Sequence, residues 1–360
     1  MPATAQPLTP TFTGQAAADV NRRPRQAANS AAADVCGYAL LADPATSAAT
    51  ELTQTAPADK GWVAVYADLF KARLTSLVLL TTLVGFYLGS RGPVDLGLMW
   101  PLLLGTALLA GGASALNQLL EREYDARMRR TQDRPLPTGR LQPQTVLIVG
   151  CVSATLGLAC LAQAVNFTTS LVGAASLVCY LFVYTPLKRV TWLNTLVGAV
   201  PGALPPLIGW AAARGELSSA GLALFGIQAC WQLPHFLAIA WIYRDEYARA
   251  GFKMLPVVDP QGRRTSRQAV AFSLALLPVS LCPYLFHLAG PVYLAGAVML
   301  GLGFAWLAFQ FARATSPSAI TQCDTASPGQ LSISRARQLF YASLVYLPLL
   351  LTLMMLDKIK

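Results

Sequence analysis

Asn117, Glu121 and Asp125 recur every four residues, and the stretch through Arg140 adds Arg122, Arg127, Arg129, Arg130 and Arg134. At about 100° per residue, three positions four apart drift only about 80° around a helix, so their oxygen-bearing side chains share one stripe. Oxygen ligands on one stripe suit Mg²⁺, which takes one or two carboxylates and completes its shell with substrate phosphates. Guanidiniums beside them suit the same substrate, because arginine pairs bidentately with phosphate oxygens. The pattern therefore points to a diphosphate held partly by metal and partly by arginine. A juxtamembrane helix with solvated charges of alternating sign would carry the same residue types. Glu123, about 240° around from Asn117, fits that plainer description. The sequel Arg134-Pro-Leu-Pro137 ends the helix, since a residue before proline is pushed out of the α region.

A second constellation lies further on. Asp245 and Glu246, with Arg244, Arg249 and Lys253, follow an apolar run that contains Pro234-His235. Two acidic clusters from different helices can face one another across a cavity and hold more than one Mg²⁺; a solvated loop helix is the alternative. His235 is one of only two histidines and lies inside the apolar run. Ionisable residues at such depth are costly, and a neutral imidazole there could ligate metal, act as a base, or be a hydrogen-bonded core side chain. Pro234 should kink its helix. His287 reads as an interfacial residue. Lys188-Arg189, after Tyr184-Thr-Pro-Leu, is a third basic site or a topology anchor, and Lys71 and Arg73 complete a basic rim.

The elements that must position these groups are membrane helices. The chain is 54% hydrophobic and 12% charged, against about 25% charged for a soluble domain. Nine apolar runs are candidate spans, at 74–90, 96–118, 144–163, 168–186, 192–212, 218–242, 270–288, 291–312 and 339–356. Backbone groups in lipid must be satisfied internally, so these runs are expected to be helices; the alternation of a β-barrel is absent. With the N-terminus in the cytoplasm, 23 of the 27 Lys and Arg residues fall on the cytoplasmic side, as the positive-inside rule requires. Both acidic constellations then share that side. The net charge of +10 reflects topology or an anionic substrate, and no nucleic-acid recognition module is visible. The fifth run is rich in Gly and Pro (Gly198, Pro201, Gly202, Pro205, Pro206, Gly209), which suits close packing around a cavity.

Residues 1–66 are Ala-, Thr- and Pro-rich and are expected to be disordered, with 67–360 forming the membrane domain. The extension has no apolar core of a secretory signal, and its acidic residues make it a poor transit peptide, which favours a bacterial inner membrane. Of seven scattered cysteines, five lie in apolar runs and read as small core residues, with no disulfide framework or zinc site.

On these residues the chain resembles the UbiA superfamily of intramembrane prenyltransferases, from about Leu69 to the end of the ninth run. The first acidic motif matches Asn117-x-x-x-Glu121-x-x-x-Asp125, continuing into Arg130-Thr-x-x-Arg134-Pro-Leu-Pro. Leu187 to Asn194, Gly202 to Trp210, Pro234-His235-Phe236 and Asp245 to Val257 match further blocks, and the combination looks like the haem-modifying branch. Glu121 stands where many members have Asp, and Ala72 where the usual Lys-Pro-Arg has proline.

The resemblance implies an all-α polytopic bundle of about nine helices, with a central cavity open to the cytoplasmic side. It implies that farnesyl diphosphate alkylates a vinyl group of haem b, with Mg²⁺ on Asn117, Glu121, Asp125, Asp245 and Glu246. Lys71, Arg73, Arg130, Arg134, Lys188, Arg189, Arg249 and Lys253 would bind substrate, and His235 would orient haem. Haem A synthase or oxidase assembly factors are the implied protein partners. A UbiA-type enzyme acting on a quinone precursor or chlorin is the near alternative; a transporter or a non-catalytic haem chaperone lies further off.

Overall fold

The computed structural model describes residues 60–316 and 328–359. Most of the extension assigned to 1–66 lies outside them. Its last residues do not: a short helix, α1 (Trp62–Leu69), turns Val65 and Leu69 into a buried cluster with Ala115 and Val146. The main helices are α2 (Ala72–Gly89), α3 (Leu96–Asp125), α4 (Pro143–Cys160, extended by a π turn to Val165), α5 (Phe167–Val178, running through a π turn into α6, Thr185–Val190), α7 (Asn194–Arg214) and α8 (Ser219–Ile242). Two short helices follow, α9 (Arg244–Ala250) and α10 (Leu255–Val258), before α11 (Arg263–Leu285), α12 (Pro291–Ala314) and α13 (Pro328–Leu356). Among the described residues there is no strand, and nine helices are long and apolar enough to cross a membrane.

The helices overrun several expected ends. The fourth run continues through Lys188 and Arg189, the seventh starts at Arg263, and the ninth carries Arg335 and Arg337 inside a helix. Helical hydrogen bonding does not stop where apolarity stops, and charged residues are good helix formers once outside lipid. α8 runs unbroken past Pro234.

α7 is the central helix: 67% of its span is buried, against 33% for α2 and α3. It can be central because its small residues admit backbones. A Cβ on Gly85 of α2 would overlap the Pro206 carbonyl, and one on Gly209 of α7 would overlap the Thr82 carbonyl, so the two helices touch main chain to main chain. Gly209→Ala is therefore expected to destabilise the bundle by about 1–3 kcal/mol, the usual cost of overpacking. Thermal unfolding in detergent checks it, and an unchanged melting temperature would contradict the contact.

The outward faces are apolar as well: Leu74, Trp100, Leu156, Leu302 and Val345 are all more than half exposed. The same solvent logic corrects the reading of the cysteines. None of the five described is buried, and Cys151 is exposed. Against lipid, an apolar side chain has no need to face inward. His287 is exposed in a left-handed turn just after α11, as an interfacial residue would be.

Candidate functional site

The stripe on α3 is real and it is buried. Asn117, Glu121 and Asp125 all fall within the helix and are 1%, 4% and 1% exposed. Buried carboxylates need a cationic partner, and three other segments supply them. Arg134 Nη1 lies 2.6 Å from Asp125 Oδ2, and Lys188 Nζ lies 2.8 Å from Glu121 Oε1. Lys71 Nζ donates to Asn117 Oδ1 at 3.1 Å. Asn117 Nδ2 in turn donates to Thr185 Oγ1, so the amide orientation is fixed from both ends.

Each basic group is positioned by a local feature. Lys71 has a left-handed backbone (φ 47°), which breaks the chain between α1 and α2 and aims the side chain at α3. Gln118 pins that corner by donating to the carbonyls of Asp68 and Leu69. Burial, with Arg134 and Lys188 close by, pulls the Lys71 ammonium down to about 7. Arg134 sits in the turn-rich loop after α3, which Thr131 closes by donating its hydroxyl to the Asp125 carbonyl. The same loop is tied to the start of the described chain by Lys60, which bridges Asp68 and Asp133 at 2.9 and 2.6 Å. Those carboxylates raise Lys60, and Lys60 holds Asp133 below the usual carboxylate range. Lys188 stands at the end of the α5–α6 helix with the Tyr184 ring 4.5 Å beneath it, stacked on Tyr180.

Among the described residues, one carboxylate oxygen of this cluster is buried with no hydrogen bond, as is the neighbouring Gln118 Oε1. Asp125 Oδ1 is buried and unpartnered although its twin is paired. A bare anionic oxygen on the same stripe as Glu121 and Asn117 has the hardness and sidedness a divalent cation requires, so the donor set fits Mg²⁺.

The second acidic motif joins the site differently from expectation. Among the described residues no three of His, Cys, Asp and Glu gather as a metal cluster. The five residues expected to share metal do not form one group here: Glu121 and Asp125 lie together on α3, ion-paired with Lys188 and Arg134, while Asp245 faces outward beside Arg244. The two motifs meet instead through aromatic packing. Arg130 lies over the rings of Tyr243 and Tyr247 and donates to the Tyr247 hydroxyl at 3.1 Å, and Tyr124 packs on Phe252. The backbone joins them too: Lys253 N donates to the Lys188 carbonyl, and Asn194 Nδ2 donates to the Lys253 carbonyl. Glu246 is half-buried; Arg73, Arg249 and Lys253 are exposed at the rim. Arg189 turns away from the carboxylates, onto the Tyr124 ring and the Leu120 carbonyl.

His235 belongs to a separate cluster between α8 and α13. Its Nδ1 is 2.7 Å from Ser343 Oγ, and its ring stacks on Trp231 and packs on Phe340. That geometry holds the ring firmly and commits Nδ1, leaving Nε2 for a ligand.

Sequence reasoning missed Gln118, Thr185, Tyr180 and Tyr184. The signal for Gln118 was available: a second amide beside Asn117 in an apolar helix needs a buried partner. Tyr180 and Tyr184 were indistinguishable from the aromatic content of any membrane helix.

The chain matches the model of the UbiA prenyltransferase family over residues 78–324. It is 43% identical to a protoheme IX farnesyltransferase of Solibacter usitatus (strain Ellin6076) over 81% of this chain and 98% of the relative. It is 44% identical to one of Salinibacter ruber (strain DSM 13855 / M31), again over 81% and 98%. Among solved structures it resembles a digeranylgeranylglyceryl phosphate synthase, with a TM-score of 0.66 at 12% identity over 82% of this chain and 98% of that one. It also resembles a UbiA homolog from Archaeoglobus fulgidus bound to DMAPP and Mg²⁺, with a TM-score of 0.55 at 18% identity over 80% and 99%. At those identities the structural likeness speaks for the fold.

Proposed function

The chain belongs to the UbiA prenyltransferase family, and from that premise we propose that it transfers a farnesyl group from farnesyl diphosphate to a vinyl group of haem b, with addition of water, giving haem O. The observation that carries the donor half is the buried stripe of Asn117, Glu121 and Asp125 ringed by Lys71, Arg134 and Lys188. The acceptor half rests on the close relatives at more than 40% identity named for that reaction.

Asn117, Glu121 and Asp125 would hold Mg²⁺, which as a Lewis acid stabilises charge on a leaving diphosphate. Lys71, Lys188, Arg130 and Arg134 clamp the diphosphate oxygens. A bound anion would favour the charged form of Lys71, against the burial and neighbouring cations that pull it down to about 7. Breakage of the C1–O bond leaves an allylic cation, and the π faces of Tyr184 and Tyr180 lie beside the lysine that holds the diphosphate. The vinyl carbons attack C1, and water captures the new cation next to the porphyrin, with loss of a proton. Helix walls exclude bulk water until the carbon–carbon bond has formed, which prevents simple hydrolysis. Arg73, Arg249, Lys253, Asp245, Glu246 and Arg189 form the rim through which the charged substrate enters. An apolar cavity of about 340 Å³ between α2, α3 and α4 begins at Phe70 and Ala72, either side of Lys71, and suits an isoprenoid chain. The site faces the cytoplasm of a bacterial inner membrane.

The purified chain is assayed with haem b, farnesyl diphosphate and Mg²⁺, and the pigment is analysed by mass spectrometry. A haem heavier by one farnesyl and one hydroxyl group is expected. Unmodified haem with released diphosphate would mean another acceptor.

His235 orients haem through Nε2 in this reading. His235→Ala is expected to weaken haem binding at least about tenfold, with Ser343→Ala weaker in the same direction and farnesyl diphosphate affinity unchanged. Titration of the haem absorption band measures it, and unaltered affinity removes the role.

A further inference from the structure

A second charged cavity lies outside this site, in the groove where α12 leaves the bundle and α13 enters it. It measures about 400 Å³ and is lined by Trp306, Gln310, Arg313, Ala314, Leu331 and Arg335. Trp306, Gln310 and Arg313 sit at i, i+4 and i+7, so they form one face of α12, and Leu331 and Arg335 answer them at i and i+4 on α13. Neither arginine forms an ion pair with a described residue, and Arg335 spends one donor on Gln338. The groove belongs to the end of the bundle that carries the acidic stripe. Ser266, near the start of α11, bonds to Thr315 just past α12, and Trp241 near the end of α8 bonds to Ser332 near the start of α13.

Above the arginines the wall is apolar and outward-facing: Leu302, Trp306 and Phe309 are 57%, 57% and 46% exposed. The groove therefore presents two guanidiniums, without an ion pair among the described residues, directly beneath a lipid-facing surface, with an indole between them and the hydrocarbon. Tryptophan prefers that interfacial depth, and basic pockets between helices at a membrane face bind anionic headgroups.

We propose that this groove is a binding site for an anionic phospholipid, with its phosphate between Arg313 and Arg335, its glycerol against Gln310 and Trp306, and its chains along α12 and α13. The ligand commits to a lipid because the apolar wall continues the cavity in the direction the acyl chains would run. Two guanidiniums on one phosphate act as a charge-assisted clamp.

The test uses the full chain in nanodiscs containing equal phosphatidylglycerol and phosphatidylcholine, with retained lipid counted by native mass spectrometry after release. The wild type is expected to retain phosphatidylglycerol preferentially. Arg313→Gln with Arg335→Gln should reduce that preference at least about tenfold, with farnesyl transfer still measurable as evidence of folding. Arg337→Gln removes a charge from the same end of α13 without lining the cavity, and should leave the preference intact. Equal loss in Arg337→Gln would reduce the effect to net charge and overturn the site. Undiminished preference in the double variant would overturn it as well. Displacement of the lipid by millimolar inorganic phosphate would show a free-anion site and refute the lipid assignment.

Discussion

Asp125→Ala is expected to lower farnesyl transfer by at least about a thousandfold while the protein stays folded in its membrane. Its two oxygens differ in their surroundings. Oδ2 is paired with Arg134 at 2.6 Å, whereas Oδ1 is buried with no hydrogen bond among the described residues. A carboxylate kept only to neutralise Arg134 would gain by satisfying both oxygens, because a bare buried acceptor costs about 1–3 kcal/mol. An oxygen left bare on the stripe of Glu121 and Asn117 is what a cation ligand looks like before the cation binds. Asp125→Asn sharpens the test. It keeps the volume and an acceptor oxygen but removes the charge; Arg134 loses its counter-charge yet is 25% exposed, so the stability loss should be smaller than in the alanine variant while turnover is still lost. Measured kcat near the wild-type value in either variant would sink the metal site. Loss of folding in the alanine variant alone would leave the asparagine variant to decide.

The second large effect concerns the Lys188–Glu121 pair, 2.8 Å apart with side chains only 16% and 5% exposed. Glu121→Gln leaves an ammonium uncompensated among Tyr180, Tyr184 and apolar helices, and should destabilise the fold by about 3–5 kcal/mol. Lys188→Met combined with Glu121→Gln removes both charges and should recover much of that loss, since replacing a whole buried pair is often nearly neutral. Activity should remain lost in the double variant, because in the proposed reaction Lys188 clamps diphosphate and Glu121 shares the metal. Denaturation followed with turnover separates the two roles. A double variant that is both stable and active would make the pair purely structural. A single variant as stable as the wild type would mean that solvent reaches Lys188.

Much of this was legible in the residues themselves. Asn117, Glu121 and Asp125 lie on one stripe because their spacing matches the helical period, and no tertiary contact is needed to know it. Helix ends were harder. Lys188, Arg263 and Arg335 were assigned to loops because they are charged, yet each continues a helix, since the backbone keeps its hydrogen bonds beyond the lipid boundary. Asp245 is expected among the metal ligands from its membrane side and from the family resemblance, whereas its side chain here is 86% exposed beside Arg244. Sidedness says that two segments share a membrane face, but not that two side chains point at one another.

The sequence by itself determined the class of molecule, the nine apolar helices, the common end at which the charges collect and the chemistry those charges can do. These follow from composition and from short-range periodicity, which act within a few turns of chain. Only the tertiary structure decided which charge meets which. Lys188 reaches Glu121 across 67 residues of chain, Lys71 reaches Asn117 across 46, and His235 finds Ser343 across 108. Such pairings are fixed by which helix faces pack together, and packing is set by where small residues such as Gly85 and Gly209 let backbones touch.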